Sequence, residues 1–74
     1  MPRTIRLENW RTDGARICGN GYDDSEGFIK NGQFIRSEPI VGVIMAEDDV
    51  TCEAVETLDG IYYLGKRLES DEAA

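Results

Sequence analysis

The chain has 74 residues, 15 of them acidic and 8 basic, for a net charge of −7; it has two cysteines and no histidine. A chain this short makes one domain with a modest core. It lacks the ligands for a four-coordinate zinc site and the histidine that most often serves a nucleophile as its base. Its acidity repels nucleic acid and anionic membranes and attracts basic surfaces, and its longest nearly apolar run, PIVGVIMA, falls far short of the roughly 20 residues that span a bilayer.

The charge is unevenly spread. Residues 1–22 carry Arg3, Arg6, Arg11 and Arg16 against Glu8 and Asp13, a net +2, which leaves −9 for residues 23–74. The opening MPRTIRLENW has no apolar stretch of the kind a signal peptide needs. The expectation is therefore a cytoplasmic protein whose Cys18 and Cys52 are reduced, packed thiols.

In chain order, TIRLENW alternates as a strand, with Ile5 and Leu7 on one face and Arg6 and Glu8 on the other. Asp13-Gly14, Asn20-Gly21, Asn31-Gly32 and Asp59-Gly60 are dipeptides that supply positive φ in tight turns. ARICGNGY is a glycine-rich second strand, and DDSEGF reads as a loop. QFIRSEPIVGVIM reads as one long strand, kinked or bulged at Pro39. VTCEAVETL and IYYLGKRL form a hairpin across Asp59-Gly60. No stretch keeps a helical period for more than a turn or two. The expected fold is all-β, a small five-stranded antiparallel meander curled into an SH3-like or partly closed barrel, with Gly19, Gly21, Gly42 and Gly65 at its bends. Residues 1–68 form the single domain, and residues 69–74 an acidic, frayed tail.

The chemistry-bearing patterns are thin. GNGYDD begins like a dinucleotide fingerprint, but Asp24 stands where the third glycine belongs and no helix follows. DDSEGF echoes a calcium loop, yet Phe34 occupies the twelfth position, where a bidentate acid is required. A carboxylate pair doing acid–base work needs a pocket that separates two pKa values, and so small a barrel has little room for one. The sequence thus predicts no catalytic residue, no metal site and no cofactor. The N-terminal arginines interleave with Trp10 in a way that can bind nucleic acid. The sign of the chain opposes that role, and Arg6 or Arg16 reads instead as an exposed ion pair across a strand from Glu8, Glu53 or Glu56. Trp10, Phe28, Phe34, Tyr62 and Tyr63 are expected mostly in the core.

Two stretches remain. In AEDDVTCEAVETLDG, residues 46–60, six carboxylates occur without a lysine or arginine. Alternate residues of a strand lie on one face roughly 6.8 Å apart, and DNA places one charge per ~3.4 Å of axis on each strand, so a row of carboxylates can imitate part of that ladder. In strict alternation Asp49 and Glu53 fall on one face and Asp48 and Glu56 on the other. That places Glu47, Asp48 and Asp49 on a loop, Glu53 facing outward and Glu56 near a bulge or edge, with Asp23, Asp24 and Glu26 joining them if their loop folds over. The same acids also fit an edge strand charged against edge-to-edge pairing. In IVGVIM, Val41, Val43 and Met45 share a face. A bent barrel buries that face, or it is an interface, most simply of a homodimer.

The run NWRTDGARICGNGYDDSEGFIKNGQFIRSEPIVGV, followed by VETLDGIYYLG, resembles small, mostly uncharacterised β proteins encoded by bacteria and their phages. The likeness lies in the early tryptophan, the element GQFIRSEPIVGV from Gly32 to Val43, and the closing Thr57 to Gly65; it implies the β architecture and no activity. In size, acidity and lack of catalytic residues the chain is similar to phage anti-defence proteins, including anti-CRISPR proteins, many of which occupy a nucleic-acid-binding surface. The combined expectation is a non-enzymatic inhibitor whose Glu47, Asp48, Asp49, Glu53 and Glu56, with Asp23, Asp24 and Glu26, meet a lysine- and arginine-lined groove of a partner protein. Exposed Trp10, Tyr62 or Tyr63 would anchor it. A self-associating β module using Val41, Val43 and Met45, and a binder of small nucleotides, are the alternatives.

Overall fold

A computed structural model describes residues 2–48 and 52–68. The described residues form six strands and no helix: β1 Thr4–Asp13, β2 Arg16–Tyr22, β3 Gln33–Arg36, β4 Ile40–Met45, β5 Cys52–Thr57 and β6 Gly60–Leu64. They make one sheet in the order β3-β2-β1-β6-β5-β4. All neighbours are antiparallel except β1 and β6, which run parallel with Ile5 beside Tyr62 and Leu7 beside Leu64.

The all-β class is as expected; the strand count, the purely antiparallel pairing and the barrel are corrected. QFIRSEPIVGVIM is not one bent strand. Residues 37–39 cut it into β3 and β4, which lie at opposite edges of the sheet. Pro39 has no N–H for a ladder and disfavours continuation through Glu38. Ser37 takes over the satisfaction of the backbone at this crossing. Its buried hydroxyl accepts the Ile17 N–H at 3.0 Å and donates to the Glu38 carbonyl at 2.7 Å. Its own N–H donates to the Ile17 carbonyl at 2.8 Å, and the Ile40 N–H reaches the Ala15 carbonyl at 2.6 Å. These bonds draw the two edges toward the β1–β2 turn and curl the sheet. No ladder joins β3 to β4 among the described residues, so the sheet stays open.

Asn20-Gly21 is not a turn. Both residues lie inside β2, opposite Glu8 and Leu7. Glycine is needed at 21 for room, since a Cβ there would press on Ile29 Cδ1 and stand 2.9 Å from Ile35 Cδ1. β1 bends at a register shift between Glu8 and Arg11, where Asn9 has φ of 52°. Its first half pairs with β6, and beyond Leu64 the chain stays beside it through Trp10, whose indole N–H donates to the Gly65 carbonyl at 3.1 Å.

Ile5, Leu7, Ile17, Val55 and Tyr62 form the buried core, flanked by Trp10, Ile29, Ile35, Ile40, Cys52 and Leu64. Truncating a fully buried leucine such as Leu7 to alanine costs about 2–5 kcal/mol, a large share of what so small a domain holds. Three of the five aromatics expected inside are outside: Phe28, Phe34 and Tyr63 are 71%, 62% and 41% exposed. An open sheet has one covered face, and Phe34 and Tyr63 point to the other, opposite Asn20 and Arg6 respectively. Cys18 on β2 and Cys52 on β5 are free thiols with two strands between them. Among the described residues no helix is long and apolar enough to cross a membrane. The expected tail, residues 69–74, lies outside the described residues.

Candidate functional site

One end of the sheet gathers the start of β1, the loop of residues 23–32 and the turn between β5 and β6. The loop folds as it does because Asp24 organises it. Asp24 Oδ1 accepts the Glu26 N–H at 3.0 Å, and Oδ2 accepts those of Phe28 and Ile29 at 2.9 and 3.2 Å. This is the local side-chain-to-backbone bonding that makes Asp a turn residue. Gly27, with φ of 72°, completes the turn, and its N–H donates to the Asp24 carbonyl at 3.0 Å. Ser25 docks the loop on β1 by exchanging hydrogen bonds with Thr4.

Arg3 then clamps Asp24 with two charge-assisted bonds, Nε to Oδ1 at 3.0 Å and Nη2 to Oδ2 at 2.8 Å. Such fork-to-fork pairs are the strong kind. The Arg3 guanidinium holds the Asp24 carboxyl well below the usual carboxylate range, against the opposing effect of burial, and the Glu26 and Phe28 N–H groups add to the shift. Arg3 also stands 3.7 Å from Asp59. Burial pushes the Asp59 carboxyl up, but hydrogen bonds from Thr57 and Tyr62 outweigh it and leave the group below its ordinary value. The Tyr62 hydroxyl donates to Asp59 Oδ2 at 2.7 Å, and burial together with that bond raises the phenol. Gly60 closes the turn with φ of 145°; a Cβ there would collide with the Arg3 carbonyl oxygen.

Above this network lies an open groove of about 470 Å³. Its floor is Arg3, Asp59 and Gly60, and its rim is Glu26, Phe28, Glu56 and Leu58. Phe28 and Leu58 are among the most exposed large apolar side chains described, at 71% and 76%. The Arg3 guanidinium lies 5.1 Å from the centre of the Phe28 ring, which steadies the ring at an exposed site by about 0.5–1 kcal/mol. The groove is thus walled by apolar groups and edged by carboxylates. Chemically it suits a cationic side chain carried on an apolar stem.

Of the acids singled out from the sequence, Glu26 and Glu56 both line this groove. Asp24 lies close by but beneath the surface, its side chain 1% exposed and engaged by Arg3. Asp23 is exposed and stands 3.5 Å from Arg6, which also pairs with Glu8. Glu56 is opposite Gly42, beside a register shift in the β4–β5 ladder. Glu53 is exposed at the far end of β5, and Glu47 and Asp48 are exposed on the turn after β4. Asp49 lies outside the described residues. Glu53 and Glu56 are three residues apart on a strand, so they lie on opposite faces, roughly 10 Å apart along the chain. The acids therefore form two groups at the two ends of β5 rather than one row. β5 is also an interior strand, paired on both sides, so its acids do not guard an edge. Val41 and Val43 are exposed on β4, and Met45 is more exposed than buried side chains of the core.

Arg3, Phe28, Leu58 and Asp59 complete the groove and were not among the residues expected to form a site. DDSEGF was expected as a loop, and residues 23–32 lie in one; nothing in the pattern shows that Arg3 lies beneath it. Among the described residues no group of three or more His, Cys, Asp or Glu side chains could hold a metal ion. No family model matches the chain, and no curated protein or solved structure matches it.

Proposed function

We propose that the protein is a non-enzymatic acidic binding protein that occupies a basic, nucleic-acid-binding surface of a partner protein, acting in the cytoplasm as a phage or mobile-element inhibitor of a host defence complex. The observation that carries this reading is the groove, where Glu26 and Glu56 flank the exposed Phe28 and Leu58. A lysine or arginine of the partner would lay its stem on the apolar walls and its charge between the carboxylates. Exposed aromatic and apolar anchors supply most of the energy in such contacts. The surrounding charge supplies fast and salt-sensitive association.

The distribution of the basic residues supports the same reading. Arg3 is bound to Asp24, Arg36 to Asp13 at 2.8 Å, and Arg6 to Glu8, while Arg16 lies 4.0 Å from Glu38. Arg3 is thus engaged at the groove floor and the other arginines lie against acids away from it, which leaves Glu26, Glu56, Glu47 and Glu53 to set the sign of the surface. A phosphate-bearing ligand finds no gathered set of free cations in the groove, which disfavours the nucleotide-binding alternative.

The test is a tagged pull-down from host lysate at low and high salt, followed by nucleic-acid binding assays on whatever is retained. The expected result is a nucleic-acid-binding protein held at low salt, released at high salt, and competed off by its own DNA or RNA. A retained protein that binds nucleic acid equally well with and without a saturating amount of this chain would overturn the proposal.

A further inference from the structure

The two edges of the sheet are built differently. β3 is four residues long, includes Gln33 and Arg36, and its Arg36 is paired with Asp13. Short, charged edge strands are the usual defence against pairing with another chain. β4, the opposite edge, carries no charged side chain; Pro39 precedes it and register shifts at Ile40/Gly42 and Ile44/Met45 bound its regular stretch. Its six residues, IVGVIM, sit within the longest uncharged run of the chain, residues 39–46. Val41 and Val43 are 59% and 61% exposed, and Ile44 and Met45 are 37% and 40%. Apart from its ladder with β5, the backbone of β4 makes one bond among the described residues, the Ile40 N–H donating to the Ala15 carbonyl.

We infer that β4 is a self-association strand: two copies of this chain pair β4 with β4 in antiparallel about a two-fold axis at Val43, joining their sheets into one. This inference stands on β4 alone and is independent of the acidic groove. Two observations select a second copy as the occupant. Val43 meets Val43 of the other copy, Val41 meets Met45, and Gly42 meets Ile44, so every cross-strand pair is apolar, as an isologous contact requires. The centre of this pairing, Gly42 to Ile44, falls between the two register shifts of the β4–β5 ladder.

Charge sets the limits of the contact. Two chains of net charge −7 repel one another, and β4 is the longest stretch where they can touch without bringing acids together. In the same register Glu38 would face Asp48 of the other copy just beyond the strand, which confines pairing to about residues 40–46. The edges left over after pairing are the two β3 strands, which carry Arg36 and resist further addition. The assembly therefore closes as a dimer. One strand covers less than the roughly 1,000 Å² of a durable interface, so the dimer is expected to exchange with monomer in the micromolar range or above.

Sedimentation equilibrium on the full chain, over concentration and salt, tests this. The expected result is a monomer–dimer equilibrium that salt strengthens by screening the like charges, the opposite of what salt does to an acid–base complex. Val43→Lys sets two ammonium groups across the axis and is expected to weaken dimerisation by about tenfold or more. Hydrogen exchange of the unmutated chain gives an independent readout, with the alternate amides of residues 41–45 that face away from β5 gaining protection as concentration rises. A strict monomer up to millimolar concentration at every salt would overturn the inference. So would a dimer that Val43→Lys leaves intact, or one that forms without new protection in β4.

Discussion

In the groove between the 23–32 loop and the β5–β6 turn, floor and rim are made from the same kinds of residue held in different ways. Asp24 and Glu26 are two positions apart in one loop. Asp24 turns inward, accepts three backbone N–H groups and is clamped by Arg3; Glu26 contributes its backbone N–H to Asp24 and leaves its side chain at the exposed rim. Asp59 and Glu56 repeat the contrast across the groove, Asp59 bonded by Thr57 and Tyr62, Glu56 exposed. The difference teaches that like charge on this chain divides into acids that hold the fold and acids that remain for a partner.

The largest effect is expected on the floor. Arg3→Met removes the cation from an almost fully covered carboxylate, and breaking such a pair costs about 2–4 kcal/mol. For 74 residues total stability is only on the order of 4–11 kcal/mol, so urea denaturation should show a midpoint lowered by a large fraction. An unchanged midpoint would mean that the loop is held by its other contacts. Gly60→Ala comes next. Its Cβ would press on the Arg3 carbonyl oxygen from a φ that alanine avoids, and a loss of about 2–3 kcal/mol is expected, read by the same measurement.

Acid separates floor from rim without mutation. The carboxyls of Asp24, Asp59 and Glu8 all lie below their ordinary values in the folded chain, Asp24 furthest because of Arg3. A depressed folded pKa contributes stability that is fully present above the unfolded value, near 4 for Asp and Glu, and is lost as pH falls through the folded one. Tyr62 has the opposite sign. Its raised phenol favours the folded state below about pH 10 and loses that contribution as pH climbs beyond it. Thermal unfolding followed over pH should therefore show a plateau from about pH 5 to 9, with losses on both sides. Arg3→Met should remove most of the acid-side loss, because the Asp24 shift depends on that guanidinium.

Much of the fold was legible in the sequence, and the reasons are local. Alternation in TIRLENW placed Ile5 and Leu7 inside, and Asp59-Gly60 marked its hairpin, because side-chain period and positive φ are properties of a few neighbouring residues. What escaped depends on distant parts of the chain. Asn20-Gly21 has the composition of a turn, but its glycine is there to admit Ile29 and Ile35. Pro39 was read as a kink, whereas Ser37 supplies the hydrogen bonds that let the chain leave one edge and start the other. In the site, Glu26 and Glu56 were identified as candidates by charge alone. The groove they both line was hidden, since it requires the parallel pairing of β1 with β6 that sets Arg3 beside Asp59. The exposure of Phe28 was hidden for a related reason: an aromatic in a loop reads as core until the loop is seen folded around Asp24.

The smallest effect on stability and the most informative one for function belong to the rim. Glu26→Lys combined with Glu56→Lys alters two exposed side chains that are not part of the Arg3 network, so unfolding should shift by no more than about 0.5 kcal/mol. Binding should respond strongly. With a poly-L-lysine of defined length as the probe, affinity at low salt should drop by roughly tenfold, and its dependence on salt should flatten, because fewer charge contacts remain to be screened. Glu47→Lys with Glu53→Lys changes charge by the same amount at the other end of β5 and serves as the control. If the two double variants weaken binding equally, net charge alone governs the interaction and the groove has no special part in it. A clear excess for the groove pair would locate the contact between Phe28 and Leu58, and Phe28→Ala should then weaken binding further while leaving the salt dependence as it was.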